Sequence, residues 1–255
     1  MENGKRRRYF LIKRSEMTGV VLYIFGMIIV LFFLLANVVR FLQGMGWNYC
    51  MLDCLHEMED AQNFGIFYFL ITVSLIVGKQ RSMREPAFAV RYSNTKMIWR
   101  QMFRKLLKWS AIFSGIYCVL VCLFSALSSY EVSNWHVKYS MFHTATGTLY
   151  KGSPILVIAA FIVFAFIKTV IGAAILSLLE YGVGSIMIGY VIILIPVAVE
   201  WFGDEYILFF NLFSVSQDKF MAPGKVFLLI AIGVLAILGI YLAGCKIWRE
   251  KEFYG

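Results

Sequence analysis

The sequence predicts an all-α integral membrane protein, and three observations carry that expectation. Apolar residues make up 60% of the 255 residues and charged residues 15%, and the mean hydropathy is +0.75. A soluble domain of this length is about a quarter charged and roughly half apolar. The apolar excess sits in blocks long enough for a helix to cross a hydrocarbon core, which needs about 20 residues. None of the blocks alternates with a period of two, as an outer-membrane barrel strand does. Helices then remain as the way to satisfy every backbone group in lipid.

Six blocks qualify as spans: residues 18–41, 62–77, 109–127, 154–179, 182–201 and 226–245. They form a single transmembrane domain covering 1–255, with no nucleotide-binding domain expected. The second block is the shortest and mixes in Gly and Thr, so its ends are the least sharply marked. Before the first block, RRRYFLIKRSEMTG (6–19) mixes basic with aromatic and aliphatic residues. That mixture suits either a short helix lying on the inner membrane surface, the preferred reading, or a disordered basic anchor. The following apolar run is about twice the length of a signal-peptide core and lacks a small-residue cleavage site, so no cleavable signal is expected.

The cations orient the chain. With both ends inside, Lys5, Arg6, Arg7, Arg8, Lys13 and Arg14 fall on the inner side. The loop 79–108 adds nine more, and the tail adds Lys246, Arg249 and Lys251. Only Arg40, Lys138, Lys151, Lys219 and Lys225 fall outside, and Lys168 is left within a span. That asymmetry places both termini in the cytoplasm. The net charge of +9 then reflects orientation and anionic lipid, and requires no nucleic acid.

Side chains that could carry chemistry are few. Cys118, Cys122 and Cys245 lie within spans and read as small apolar residues. Cys50 and Cys54, in the first outer loop, form an ordinary i, i+4 pair whose oxidation stays open. His56, His136 and His143 all fall in outer loops, with no acid cluster beside the last two to complete a metal site. No phosphate-binding loop, GxSxG or HExxH is present, so no catalytic residue is assigned and the chain is not expected to be an enzyme.

Charges in the spans carry more weight, because each is costly in lipid unless paired or wet. Lys168 lies in the second half of the fourth block, and Glu180 in the turn LLEYGVG that follows it. Twelve residues apart on one helix, they do not pair with each other. In one reading Lys168 snorkels to the inner interface and Glu180 caps the turn. In the other, one of them faces a translocation path or a partner. Glu200, beside Trp201, is expected to be interfacial.

The basic loop itself divides in two. In EPAFAVRY, Pro86 suits the first turn of a short helix, which the SNT at 93–95 interrupts with a new N-cap. From Lys96 the pattern is amphipathic at about 100° per residue. Arg100, Gln101, Arg104, Lys105 and Lys108 fall on one arc, and Ile98, Trp99, Met102, Phe103, Leu106 and Trp109 on the other. That helix is expected to lie along the inner leaflet and then turn into the third span.

This layout resembles the permease subunits of bacterial type-2 ABC transporters. RRRYFLIKRSEMTG resembles their interfacial elbow helix, EPAFAVRYSNTKMIWR their cytoplasmic coupling region between spans two and three, and ILFFNLFSVSQDKFMAPG (207–224) their outer re-entrant segment before span six. RYSNTKMIW is similar to a pattern of small bacterial members. The resemblance implies a plasma-membrane exporter of a peptide, lipid or other amphipathic cargo. ATP and Mg would sit on separate ATPase subunits, and a second permease chain, identical or not, would complete the pore. It implies ATPase coupling through Glu85, Arg91, Tyr92, Ser93, Lys96 and Trp99. Arg91 and Tyr92 would meet the ATPase, and Trp99 would anchor the helix that follows in the membrane interface. The alternative is a non-transporting membrane component (an immunity, assembly or sensor subunit) that binds a cytoplasmic partner through the same loop.

Overall fold

The computed structural model describes residues 2–46, 48–80, 95–182, 185–203 and 207–250, with side chains described from Thr18 onward except at 95, 181, 182, 223, 249 and 250. Helix α1 (Glu2–Gly44) runs unbroken through the first span. A short α2 (Met51–Glu57) follows. The second span is a π-helix, Ala61–Phe69, continuing as α3 (Leu70–Gly78). Then come α4 (Thr95–Ser128), α5 (Met141–Thr146) and the central α6 (Pro154–Gly182). Helix α7 (Ile186–Phe202), a single turn α8 (Gln217–Phe220) and α9 (Pro223–Glu250) complete the chain.

Five of these helices are long and apolar enough to cross a membrane: Thr18–Gly44, Ala61–Gly78, Lys96–Ser128, Pro154–Glu180 and Gly224–Trp248. They match five of the six expected blocks. The remaining block is α7, whose 17 residues fall short of that length. It carries Pro196, which removes one backbone donor within an otherwise apolar helix.

The elements gather at two ends. At the loop end the segments after α1, α4 and α7 pack on one another. Met51 N–H donates to the Glu131 carbonyl at 3.0 Å, Asn134 Nδ2 to the Asn48 carbonyl at 2.8 Å, and Tyr49 Oη to the Ser128 carbonyl at 3.1 Å. Beneath them Trp135 packs on Phe142, Tyr150 and Phe220, joining the second and third loops. At the opposite end Gln80 Nε2 donates to the Met102 carbonyl at 3.3 Å, and Ser177 Oγ donates to Gln80 Oε1 at 3.0 Å. Helix α1 runs into the loop end and α9 runs away from it.

Two expectations are corrected, on the basic helix and on Glu200, and the open question of Cys50 and Cys54 is answered. The basic helix does not turn before span three, since α4 is one helix of 34 residues. Its apolar arc is covered by protein, with Ile98, Trp99, Met102 and Leu106 all buried. Cys50 and Cys54 are free thiols, both buried. Glu200 is buried, only 3% exposed, instead of interfacial.

Candidate functional site

Lys168 sits at the middle of α6, in an otherwise apolar stretch, with none of its surface exposed. A lone ammonium there would be costly, so its partner decides what the position does. Lys168 Nζ lies 3.2 Å from Glu59 Oε1 and 3.9 Å from the centre of the Phe64 ring. Glu59 ends the loop that leads into the π-helix, and its second oxygen accepts the Val215 N–H at 2.7 Å. The pair therefore joins α6, the start of span two and the loop before α8. Lys168 reaches toward the loop end and not toward the inner interface, as one sequence reading had it. Burial pushes the Glu59 carboxyl up from its usual value, while the Lys168 charge and the Val215 N–H oppose that shift.

Two more buried charges hold irregular backbone. The chain between α7 and α8 tucks Phe210, Phe213 and Val215 into the bundle, where water cannot satisfy its peptide groups. Glu200, at the end of α7, supplies acceptors. Oε1 takes the N–H groups of Leu208 and Phe209, and Oε2 those of Phe210 and Asn211 at 2.7 and 3.1 Å. Lys219 supplies donors from the other side. Its Nζ donates to the carbonyls of Asn211, Leu212 and Ser214 and to Ser214 Oγ. One carboxylate and one ammonium thus saturate opposite polarities of a single turn. Burial lowers the Lys219 pKa to about 8.

Asp53 plays the same part for the first loop. Its Oδ2 accepts the Cys50 N–H at 2.9 Å, closing the first turn of α2, and Oδ1 accepts Trp135 Nε1 at 2.7 Å. Gln217 Nε2 reaches the same oxygen at 3.5 Å. Asp53 therefore fastens all three loops together.

Beside this network lies an open cavity of about 530 Å³, lined by His56, Asp60, Glu200, Trp201, Asp218 and Lys219 among others. Burial and the nearby Lys219 charge lower the His56 pKa to about 4, so its imidazole is neutral at pH 7. Its Nδ1 is buried with no hydrogen-bond partner among the described residues. Asp60 caps the π-helix by accepting the Asn63 N–H, and burial raises its pKa to about 6. Neighbouring Glu57 is raised to about 7, again chiefly by burial.

The residues expected to couple to a partner lie at the other end. Glu85, Arg91, Tyr92 and Ser93 fall outside the described residues. Lys96 is exposed, as a contact residue would be. Trp99 is completely buried, and its Nε1 donates to the Tyr241 carbonyl of α9 at 3.0 Å. Its ring stacks on Trp248 with centroids 6.3 Å apart. It fits because α9 has Gly244 there, where a Cβ would come within 2.2 Å of the indole. The anchor is therefore the last helix and not a lipid interface. Since Gln80 meets Met102, the turn carrying Lys96 and Trp99 projects beyond the end of span two. Glu180 is half-buried near the end of α6, about 18 Å along that helix from Lys168. The structure does not bring the two together.

Sequence reasoning missed Glu59, Asp53, Lys219 and the true role of Glu200. One signal for Glu59 was available. The acids of HEMED, at 56–60, stand directly before the shortest apolar block, while Lys168 was left without a partner.

The fold and its internal charges define a helical, multi-pass membrane protein. No protein-family model, curated protein or solved structure matches the chain, so its own residues carry the functional reading.

Proposed function

We propose that this chain is the membrane-spanning permease subunit of an ABC transporter, exporting a peptide, lipid or other amphipathic cargo. In this reading α7 is the sixth span and both termini lie in the cytoplasm of a bacterium, at its plasma membrane. Residues 6–19, the N-terminal part of α1, correspond to the elbow, 85–100 to the coupling region, and 207–224 to the outer re-entrant segment. ATP and Mg bind to separate ATPase subunits, a second permease chain completes the path, and this chain catalyses nothing itself.

The observation that supports the reading best is the Trp99 clamp. The helix that directly follows the cationic loop is fastened to the last helix by an indole hydrogen bond and an indole stack. A force applied to residues 84–95 would move α4 and α9 as a pair. At the loop end the backbone is held by buried charges, so that end would follow the helices as a unit. ATP-driven closure of the ATPases would thereby become a rocking of one permease half against the other.

Affinity purification of the full-length tagged chain from its native membrane tests this. The expected result is co-purification of a polypeptide with a phosphate-binding loop, lost when Arg91→Glu and Tyr92→Ala are combined. Purification without any ATP-binding polypeptide, with function unchanged in that double variant, would favour the non-transporting component instead.

A further inference from the structure

A crevice between α6 and α7 serves neither the charge network nor the coupling just described. Gly189 brings α7 onto α6 near its first turn, since a Cβ there would lie 2.5 Å from Leu176 Cδ1. Beyond that contact Ile171 and Ile175 of α6 and Ile192 and Pro196 of α7 line a cavity of about 240 Å³. The rings of Phe69 and Phe209, 6.1 Å apart, complete the wall. Gly172, between the two α6 isoleucines, offers no side chain to fill the space. Every described side chain that lines it is apolar.

Its height decides what occupies it. Ile171 and Ile175 lie within Pro154–Glu180, which is long and apolar enough to cross a membrane. Ile192 and Pro196 flank the middle of α7, more than a turn from either of its ends. Ile192 is 42% exposed and marks the mouth, whereas Ile171 is 5% exposed and marks the depth. The mouth is continuous with an apolar helix face on which Val191, Leu194 and Ile195 are exposed. Water gains nothing inside, because a space without polar partners stays dry. An empty space would forfeit the dispersion contacts of its walls, and in lipid such contacts are what favours association. Bilayer hydrocarbon meets both conditions, and near mid-height it consists of the ends of acyl chains.

We propose that this crevice binds the terminal part of one phospholipid acyl chain from the surrounding bilayer, seated between Ile171 and Ile192 against the Phe69 ring. The volume suits part of a chain and not a whole ligand, for which sites begin at about 300 Å³. Such a site rests on the placement of α7 as a span, and not on ATPase coupling.

Photolabelling of the full chain in phosphatidylcholine proteoliposomes tests it. The probe is phosphatidylcholine with a diazirine at the end of one acyl chain, and adducts are mapped to residues by mass spectrometry. Leu235 on α9 and Val191 on the exposed face of α7 serve as references for ordinary lipid contact. Labelling of Ile171 is expected despite its burial. In Ile192→Trp, whose indole would fill the mouth, that label should vanish while Leu235 and Val191 keep theirs. Ile175→Phe blocks the same space from the other wall, and thermal unfolding checks that each variant is folded. Labelled Val191 with unlabelled Ile171 would overturn the site and leave α7 as a span. Unlabelled Val191 with labelled Leu235 would remove the span placement, and the site with it. Ile171 labelling unchanged in both folded variants would also overturn the proposal.

Discussion

The two ends of this bundle solve the same packing problem with different chemistry. At the loop end, irregular backbone is buried between helices, and buried Asp53, Glu59, Lys168, Glu200 and Lys219 hold it. At the opposite end α4 and α9 meet within their helical turns, whose peptide groups are already bonded. There the junction is made by Trp99, Trp248 and Phe103 against a glycine notch, with Tyr241 accepting one indole proton. Charge is used where backbone donors and acceptors are orphaned, and shape is used where they are not. A loop bound in this way resists rearrangement, whereas a helix pair clamped by rings can move as one body.

The comparison can be broken most severely at Lys168. Lys168→Met leaves Glu59 buried without its counter-charge and should cost about 3–5 kcal/mol. Unfolding in detergent would measure this, and Glu59→Gln in the same chain should recover part of the loss. Next comes Glu200→Ala, which orphans the N–H groups of residues 208–211. A loss of about 2–4 kcal/mol is expected, and amide exchange should rise in 207–216 and not in α4. A loss spread evenly over the molecule would count against a local role.

At the ring-packed end, Gly244→Ala places a methyl group against the Trp99 indole and should cost about 1–3 kcal/mol by overpacking. Its signature should be a change in tryptophan emission with the loop end unaffected. The smallest effect concerns pH. Burial raises the Glu57 carboxyl from its usual 4.5 to about 7, so its contribution to stability is fully present below 4.5 and is lost as the pH rises through 7. Asp60, raised to about 6, acts in the same direction. His56, lowered to about 4, acts oppositely and loses its contribution as the pH falls from 6.5 through 4. Glu57→Gln should therefore unfold at a higher temperature than the parent at pH 7.5, with the advantage gone near pH 4.5.

The spans were legible because hydropathy is a local property. The block at 62–77 became Ala61–Gly78, and that at 154–179 became Pro154–Glu180. Pairing across the fold was not legible. Glu59 and Lys168 are 109 residues apart, and their meeting depends on how the chain enters a short, π-helical span. The Trp99 anchor was recognised as an anchor but assigned to lipid. An amphipathic arc reads the same whether a bilayer or a neighbouring helix covers it, and only the glycine at 244 distinguishes the two. Glu200 misled for a related reason, since a carboxylate beside Trp at the end of a span is an ordinary interfacial pattern. Its four backbone donors come from the loop that follows, whose path hydropathy does not specify.

The central claim is that the cationic loop, and not the charge-bound loops opposite, meets the ATP-binding partner. A photo-reactive residue introduced at Tyr92 and, separately, at the exposed Tyr139 of the opposite end tests this in native membranes. The account predicts an adduct with an ATP-binding polypeptide from position 92 and none from 139. An adduct from 139 with none from 92 would contradict it.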